Sequence, residues 1–222
     1  MYSVPYSMHA MSGILLKTVT AIMLGLALTV PSQAQDEQAP WPGPATQDWD
    51  TARVWTDFEA ALQRPEQVLR LNLTKNKWKE VDFRLRRFRQ LRELVLDRNR
   101  LDTLPRWMGE LTTLERLSLA SNRIGTFPEC LLTLENLLEL DLSDNMVTGI
   151  PEDIDALASL EKLILWSNVV GHFPPSLSRL DRLRELDLLH NEMSEGEQQW
   201  VKELLPDCTI HLSPPCQCDF DD

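Results

Sequence analysis

Residues 91–101, LRELVLDRNRL, are one of six copies of a single phrase. The others are VLRLNLTKNKW at 68–78, LERLSLASNRI at 114–124, LLELDLSDNMV at 137–147, LEKLILWSNVV at 160–170 and LRELDLLHNEM at 183–193. Each copy begins 23 residues after the last, and the shared pattern is LxxLxLxxNxL. The L-x-L step at its centre puts two apolar side chains on one face of a short strand and leaves the flanking positions on the other. Copies in phase at a fixed period stack, and their strands line up as a parallel sheet.

An asparagine closes each strand, as Asn76, Asn99, Asn122, Asn145, Asn168 and Asn191. The chain must turn away there, and an inward carboxamide can donate and accept toward bent backbone groups that would otherwise be buried unpaired. These six are therefore expected to form a structural ladder. The return half is regular too. Leu104-Pro105, Phe127-Pro128, Ile150-Pro151 and Phe173-Pro174 repeat an apolar-proline step, and pairs such as Met108 and Leu111 follow three residues apart. Proline sets φ at the entry to a short helical or 3₁₀ turn. No single copy can hide its apolar face, whose residues contribute about 1.5–3 kcal/mol each on burial. Neighbours must cover one another.

This pattern, continuing as LxxLPxxIxxL, resembles the 23-residue class of the leucine-rich repeat superfamily. The resemblance covers residues 68–193 and is weaker in the flanks. The first copy departs from it, with Val81-Asp82 in place of the apolar-proline step and Trp78 where Leu or Ile is usual, as expected of an edge unit. The resemblance implies an α/β solenoid: a curved array with a parallel sheet on its concave face and short helical or 3₁₀ turns on its convex face. It also implies protein recognition rather than catalysis, in the manner of exported bacterial members.

Upstream, Lys17 precedes thirteen apolar or small residues, Thr18–Val30, and then Pro31-Ser-Gln-Ala34. Residues 1–34 are expected to be a signal peptide cleaved after Ala34, and the chain to be exported to a periplasm or secreted. The run is short for a membrane span, which needs about 20 residues; an uncleaved anchor is the competing reading. Residues 35–49, rich in proline and polar groups, read as a flexible linker. Residues 50–67 read as an N-terminal cap built on a helix from Asp50 to Arg64, with Trp55, Phe58, Ala61 and Leu62 on one face. Six repeats follow over 68–194. A cap helix at Glu197–Leu205 and a strand at Cys208–Leu212 close the array within 195–213, leaving an acidic, cysteine-containing tail at 214–222.

The 222-residue chain carries a net charge of −12, unevenly placed. Residues 64–123 hold 15 basic and 8 acidic side chains; residues 124–222 hold 5 and 20. Nucleic acid is excluded as a partner by most of this surface. The cluster Arg84, Arg86, Arg87, Arg89 and Arg92 reads either as a patch for an acidic partner or as a solvated convex face.

On the concave face the outward strand positions form columns. The first, Arg70, Glu93, Arg116, Glu139, Lys162 and Glu185, alternates in sign and reads as register-setting scaffold, each exposed pair contributing about 0–1 kcal/mol. The other two columns are irregular. They bring Ile164, Trp166 and Leu189 together, with Asp141, Asp187 and Ser143 around them, which is the composition of a protein or peptide docking site. The opposing reading is that Trp166 lies flat on its neighbours and binds nothing. An enzyme is not expected: Asp141 and Asp187 are the best carboxylate pair, and they lie two rungs apart. No cofactor motif is present. Cys208 could pair with Cys216 or Cys218, as an exported chain with four cysteines permits. No metal site is expected, since Cys216-x-Cys218 lacks the usual two-to-four-residue gap. The expected function is a non-catalytic, monomeric protein-binding scaffold. The alternative is an envelope-associated structural or self-associating protein using its charge-polarised surface.

Overall fold

The computed structural model describes residues Trp49–Cys216. The expected signal peptide and nearly all of the expected linker lie outside the described residues. Eight strands form one parallel sheet in chain order: β1 (Val54–Trp55), β2 (Arg70–Asn72), β3 (Glu93–Val95), β4 (Arg116–Ser118), β5 (Glu139–Asp141), β6 (Lys162–Ile164), β7 (Glu185–Leu188) and β8 (Thr209–Leu212). Register follows the 23-residue period, so Leu71, Leu94, Leu117, Leu140, Leu163 and Leu186 are partners in series. These leucines, and those two positions on from Leu73 to Leu188, are at most 1% exposed. Short 3₁₀ turns back the sheet, at Phe83–Arg87, Arg106–Glu110, Glu129–Thr133, Ile154–Ala156 and Pro175–Arg179. Pro105, Pro128 and Pro174 each stand just before one of them. The turns approach closely: a Cβ on Gly109 would lie 2.5 Å from the Cys130 carbonyl oxygen. The architecture is an α/β solenoid.

The bend after each strand is set by two adjacent residues. The first sits in the left-handed region in every repeat, as Lys75, Arg98, Ser121, Asp144, Ser167 and His190, with φ between 52° and 63°. None is glycine, so each carries a conformational cost of roughly 1–2 kcal/mol. The second is the asparagine, which offsets it. Asn168 Nδ2 donates to the carbonyls of Leu142, Leu165 and Trp166 at 2.9, 3.1 and 3.3 Å, while its Oδ1 accepts from Val147 N–H at 2.8 Å. Asn99, Asn122, Asn145 and Asn191 make the same bonds, each reaching a carbonyl 26 residues back and an N–H 21 residues back. Asn76 differs. It is exposed, because no full coil precedes it to offer those groups. The ladder has five rungs rather than six.

The N-terminal cap also departs from expectation. Instead of one helix over 50–64, a 3₁₀ turn at Trp49–Thr51 is followed by β1 (Val54–Trp55), which pairs with β2, and the α-helical part is Phe58–Leu62, α1. Pairing satisfies the backbone of the sheet edge, which a helix cannot do, and it turns Trp55 inward to 8% exposure. Asp57 caps α1 by accepting from Ala60 N–H at 3.0 Å. Trp78 is half-buried edge-on to Phe58, ring centroids 5.2 Å apart, and Phe58 in turn meets Phe88. The large residue at Trp78 thus fills the end of the array. At the other end α2 (Glu195–Leu204) carries a reciprocal capping box between Ser194 and Glu197, buries Val201, and is followed by β8 against β7. Trp200 stays 43% exposed, its indole N–H donating to Phe173 O at 3.0 Å.

Replacing Asn168 with Ala leaves the buried Val147 N–H without a partner, at about 1–3 kcal/mol, while the carbonyls of Leu142, Leu165 and Trp166 each lose one donor and keep another, from Asn145, Asn191 and the Asp144 N–H. Urea unfolding of N168A is expected to show a loss of about 1–3 kcal/mol, and N76A a change within about 0.5 kcal/mol. Equal losses would show that the carboxamide's reach across coils is not what stabilises the stack.

Candidate functional site on the outward sheet face

Strand register places the outward residues. Ile164 on β6 stands between Asp141 on β5 and Asp187 on β7. Two residues further along, Trp166 and Leu189 occupy neighbouring rungs, where the Ser167 N–H donates to the Leu189 carbonyl. Trp166 is 38% exposed, while Ile164 and Leu189 are half-buried. The Trp166 ring meets that of His190 edge-on, centroids 5.4 Å apart. The backbone of His190 is held in turn by a bond from its N–H to Ser213 Oγ. Asp141 accepts from Ser143 N–H and Asp187 from Leu189 N–H, each through Oδ1, so both carboxylates are held at the strand ends. The patch is an aromatic platform framed by two oriented carboxylates. Asp141 and Asp187 have the Ile164 rung between them.

A second feature was not singled out by the sequence. A groove of about 420 Å³ runs across β2 to β5, lined by Asn72, Val95, Ser118, Asp97 and Asp141 with charges of the first column. Asp97 is its notable member. Ser118 Oγ donates to Asp97 Oδ1 at 2.5 Å and Ala120 N–H donates to the same oxygen at 3.0 Å. Burial nevertheless raises the Asp97 carboxyl above its ordinary value, and the nearby Asp141 charge pushes the same way. The available signal was its column, where Asp97 is the one acid among Thr74, Ala120, Ser143, Trp166 and Leu189.

The alternating column is partly tied. Arg70 pairs with Glu93 at 2.9 Å, Arg116 lies between Glu93 at 4.0 Å and Glu139 at 3.6 Å, and Lys162 pairs with Glu185 at 3.1 Å. The residues just before β1 join it. Asp50 pairs with Arg116 at 2.5 Å, Trp49 Nε1 donates to Glu115 at 2.8 Å, and the Arg116 guanidinium stacks 4.7 Å from the Trp49 ring. Trp49, assigned from sequence to the linker, is therefore docked on the array. The arginine cluster behind the sheet is largely satisfied: Arg84 by Asp82 and Glu59, Arg86 by Glu110, Arg92 by Glu115.

Cys130, Cys208 and Cys216 are free thiols, so the Cys208–Cys216 link is not formed. Cys218 lies outside the described residues. Burial raises the Cys130 thiol, and burial together with Glu185 pushes Cys208 up to about 11, which leaves little thiolate at neutral pH. Among the described residues no group of three or more His, Cys, Asp or Glu is placed to hold a metal ion.

Because the folded pKa of Asp97 lies above its unfolded value near 3.9, the folded state holds the proton more tightly. The contribution of Asp97 to stability therefore falls as pH rises through the window between those two values and stays low above it. Asp97→Asn keeps an acceptor for Ser118 and Ala120. It is expected to be more stable than the parent in urea at pH 7, with the advantage shrinking toward zero below about pH 4. A variant less stable at pH 7 would overturn this assignment.

The leucine-rich repeat region family matches residues 66–210. Among solved structures, a leucine-rich repeat protein of Leptospira interrogans is 26% identical with a TM-score of 0.58, over 74% of this chain and 49% of its own. An internalin (InlF) of Listeria monocytogenes is 20% identical with a TM-score of 0.57, over 72% and 46%. A chain of the Drosophila Toll–Spatzle complex is 24% identical with a TM-score of 0.53, over 67% and 22%. This chain thus spans less than half the length of each. No curated protein matches it. With the repeat signature matched over most of the chain and the same stacked strands in these structures, the chain belongs to the leucine-rich repeat family.

Proposed function

We propose that this chain is a non-catalytic scaffold that binds a protein or peptide across the outward face of its sheet, anchored at Trp166. The observation that carries the reading is the juxtaposition of Ile164, Trp166 and Leu189 on adjacent rungs, with the Trp166 ring exposed and held edge-on by His190. Aromatic anchors within a polar frame dominate binding at protein interfaces, and here Asp141, Asp187 and Ser143 supply the frame. The side chains sit on a hydrogen-bonded sheet, so little ordering remains to be paid on association. The groove around Asp97 continues the face toward the first repeats, which gives an extended ligand room to lie across several strands. The chain of the Toll–Spatzle complex, with the same kind of fold, was solved within that complex.

Catalysis is not favoured by the groups present. The two aspartates are kept apart by a rung, and the Cys130 and Cys208 thiols are raised rather than activated. In this reading the chain acts after export, as a monomer in a periplasm or outside the cell. The apolar segment at Thr18–Val30 supports this, and among the described residues no helix is long and apolar enough to cross a membrane.

The test is site-specific photo-crosslinking in the native host. A photoreactive phenylalanine analogue at Ser143 or Leu189 is expected to capture a partner, and one at Glu152 on the return side is not. Adding Trp166→Ala should reduce the Ser143 crosslink about tenfold or more, as removal of an interface anchor of about 2 kcal/mol or above would, without lowering thermal stability appreciably. Capture that is equal from both sides, or indifferent to Trp166→Ala, overturns the proposal.

A further inference from the structure

The turn that follows each asparagine presents one more outward residue per coil, on the lateral edge of the stack rather than on the sheet. In chain order this row reads Lys77, Arg100, Arg123, Met146, Val169 and Glu192, all exposed. Backbone hydrogen bonds hold its first five members on successive rungs: Arg100 N–H donates to Trp78 O, Arg123 to Leu101 O, Met146 to Ile124 O and Val169 to Val147 O. Among the described residues, none of the three cations has an ion-pair partner within 4 Å. That sets them apart from Arg70, Arg84, Arg86, Arg92 and Arg116, which are all paired. Lys75 and Arg98, two positions earlier in the same turns, are also exposed and widen the basic half; Arg98 acts electrostatically on the neighbouring Asp97. Met146 and Val169 are 53% and 54% exposed and stand side by side.

From this row we infer that the lateral edge is a second binding surface, separate from the sheet face, for an extended polypeptide with an acidic run followed by apolar side chains. Two features select a polypeptide. Nucleic acids and charged glycans carry charge along their whole length, whereas this row is cationic for three rungs, apolar for two, and closes on Glu192. Rungs about 4.8 Å apart put Lys77 and Val169 about 19 Å apart, the span of roughly six residues of extended chain at ~3.3 Å each. The rung spacing of about 4.8 Å falls between one and two residues of such a chain, so the three long cationic side chains face a continuous run of carboxylates, and the exposed Met and Val then receive its apolar end. The sheet face offers the opposite chemistry, an aromatic platform framed by aspartates, so one ligand does not suit both.

The full chain is titrated into two fluorescein-labelled hexapeptides, Glu-Glu-Asp-Glu-Leu-Phe and its reverse, and into hexaglutamate, with fluorescence anisotropy as the readout. Heparin serves as a glycan competitor. One order of the mixed peptide is expected to bind at least tenfold more tightly than hexaglutamate at 50 mM salt. Arg100→Glu with Arg123→Glu should weaken it at least tenfold, and Met146→Ser with Val169→Ser should abolish the preference over hexaglutamate without altering hexaglutamate binding. Trp166→Ala should leave all of these values unchanged, which separates this surface from the sheet-face site. Binding of hexaglutamate or heparin as tight as that of both mixed peptides, or binding of the mixed peptides that survives the double charge reversal, overturns the inference. All four substituted edge residues are exposed, and circular dichroism of each variant checks that the fold is kept.

Discussion

Each coil of this protein must bend its backbone inside an apolar stack, and a bend breaks the pairing that a strand or helix would supply. The carboxamide at the end of each strand resolves this. It donates to two carbonyls of its own bend and to one of the preceding coil, and it accepts an N–H from that same preceding coil. A single side chain therefore closes its own turn and clamps two coils together. The cost of the left-handed residue before it, incurred six times without glycine, is tolerated because the neighbouring coil over-determines the geometry. With the bends satisfied, the two inward strand leucines of each coil pack at nearly zero exposure, from Leu71 and Leu73 to Leu186 and Leu188.

The same constraint accounts for the ends. The first asparagine has no coil before it, so Asn76 faces solvent and the first bend is supported instead by aromatic packing of Trp78 on Phe58. The open sheet edge ahead of it is covered by two residues of strand, Val54 and Trp55, and the far edge by β8 behind a well-capped helix. Trp49 and Asp50 then fold onto Arg116 and Glu115, which ties the entry of the chain to the third repeat. The alternating charges of the first column take part in that docking and are not only a register device.

Once scaffold positions are removed, what remains outward is small in number and differs from coil to coil. The sheet face carries a polar groove around Asp97 and an aromatic platform at Trp166. The lateral edge carries cations followed by Met146 and Val169. These surfaces differ in sign and in depth, although every one of them is sampled at the same 23-residue interval. A rigid repeat lets such a chain vary recognition chemistry without touching the bonds that hold it together.

The repeat, the parallel sheet, the 3₁₀ backing and the columns were all legible in the amino-acid order, because a strict period forces every copy into one conformation and puts equivalent residues in register. The gathering of Ile164, Trp166 and Leu189 was legible for the same reason. What broke the period was not. The segment before Arg70 has helical apolar spacing, yet it became a strand at Val54–Trp55 because only the folded array presents an unpaired edge at that point. Asn76 reads like its five counterparts, but its environment is decided by the coil it lacks. Cys208 and Cys216 are near in sequence and unbonded in space, and the raised carboxyl of Asp97 arises from burial that no string of letters records. Local pattern determined this protein wherever each coil meets a copy of itself; tertiary structure decided the rest wherever a coil meets something else.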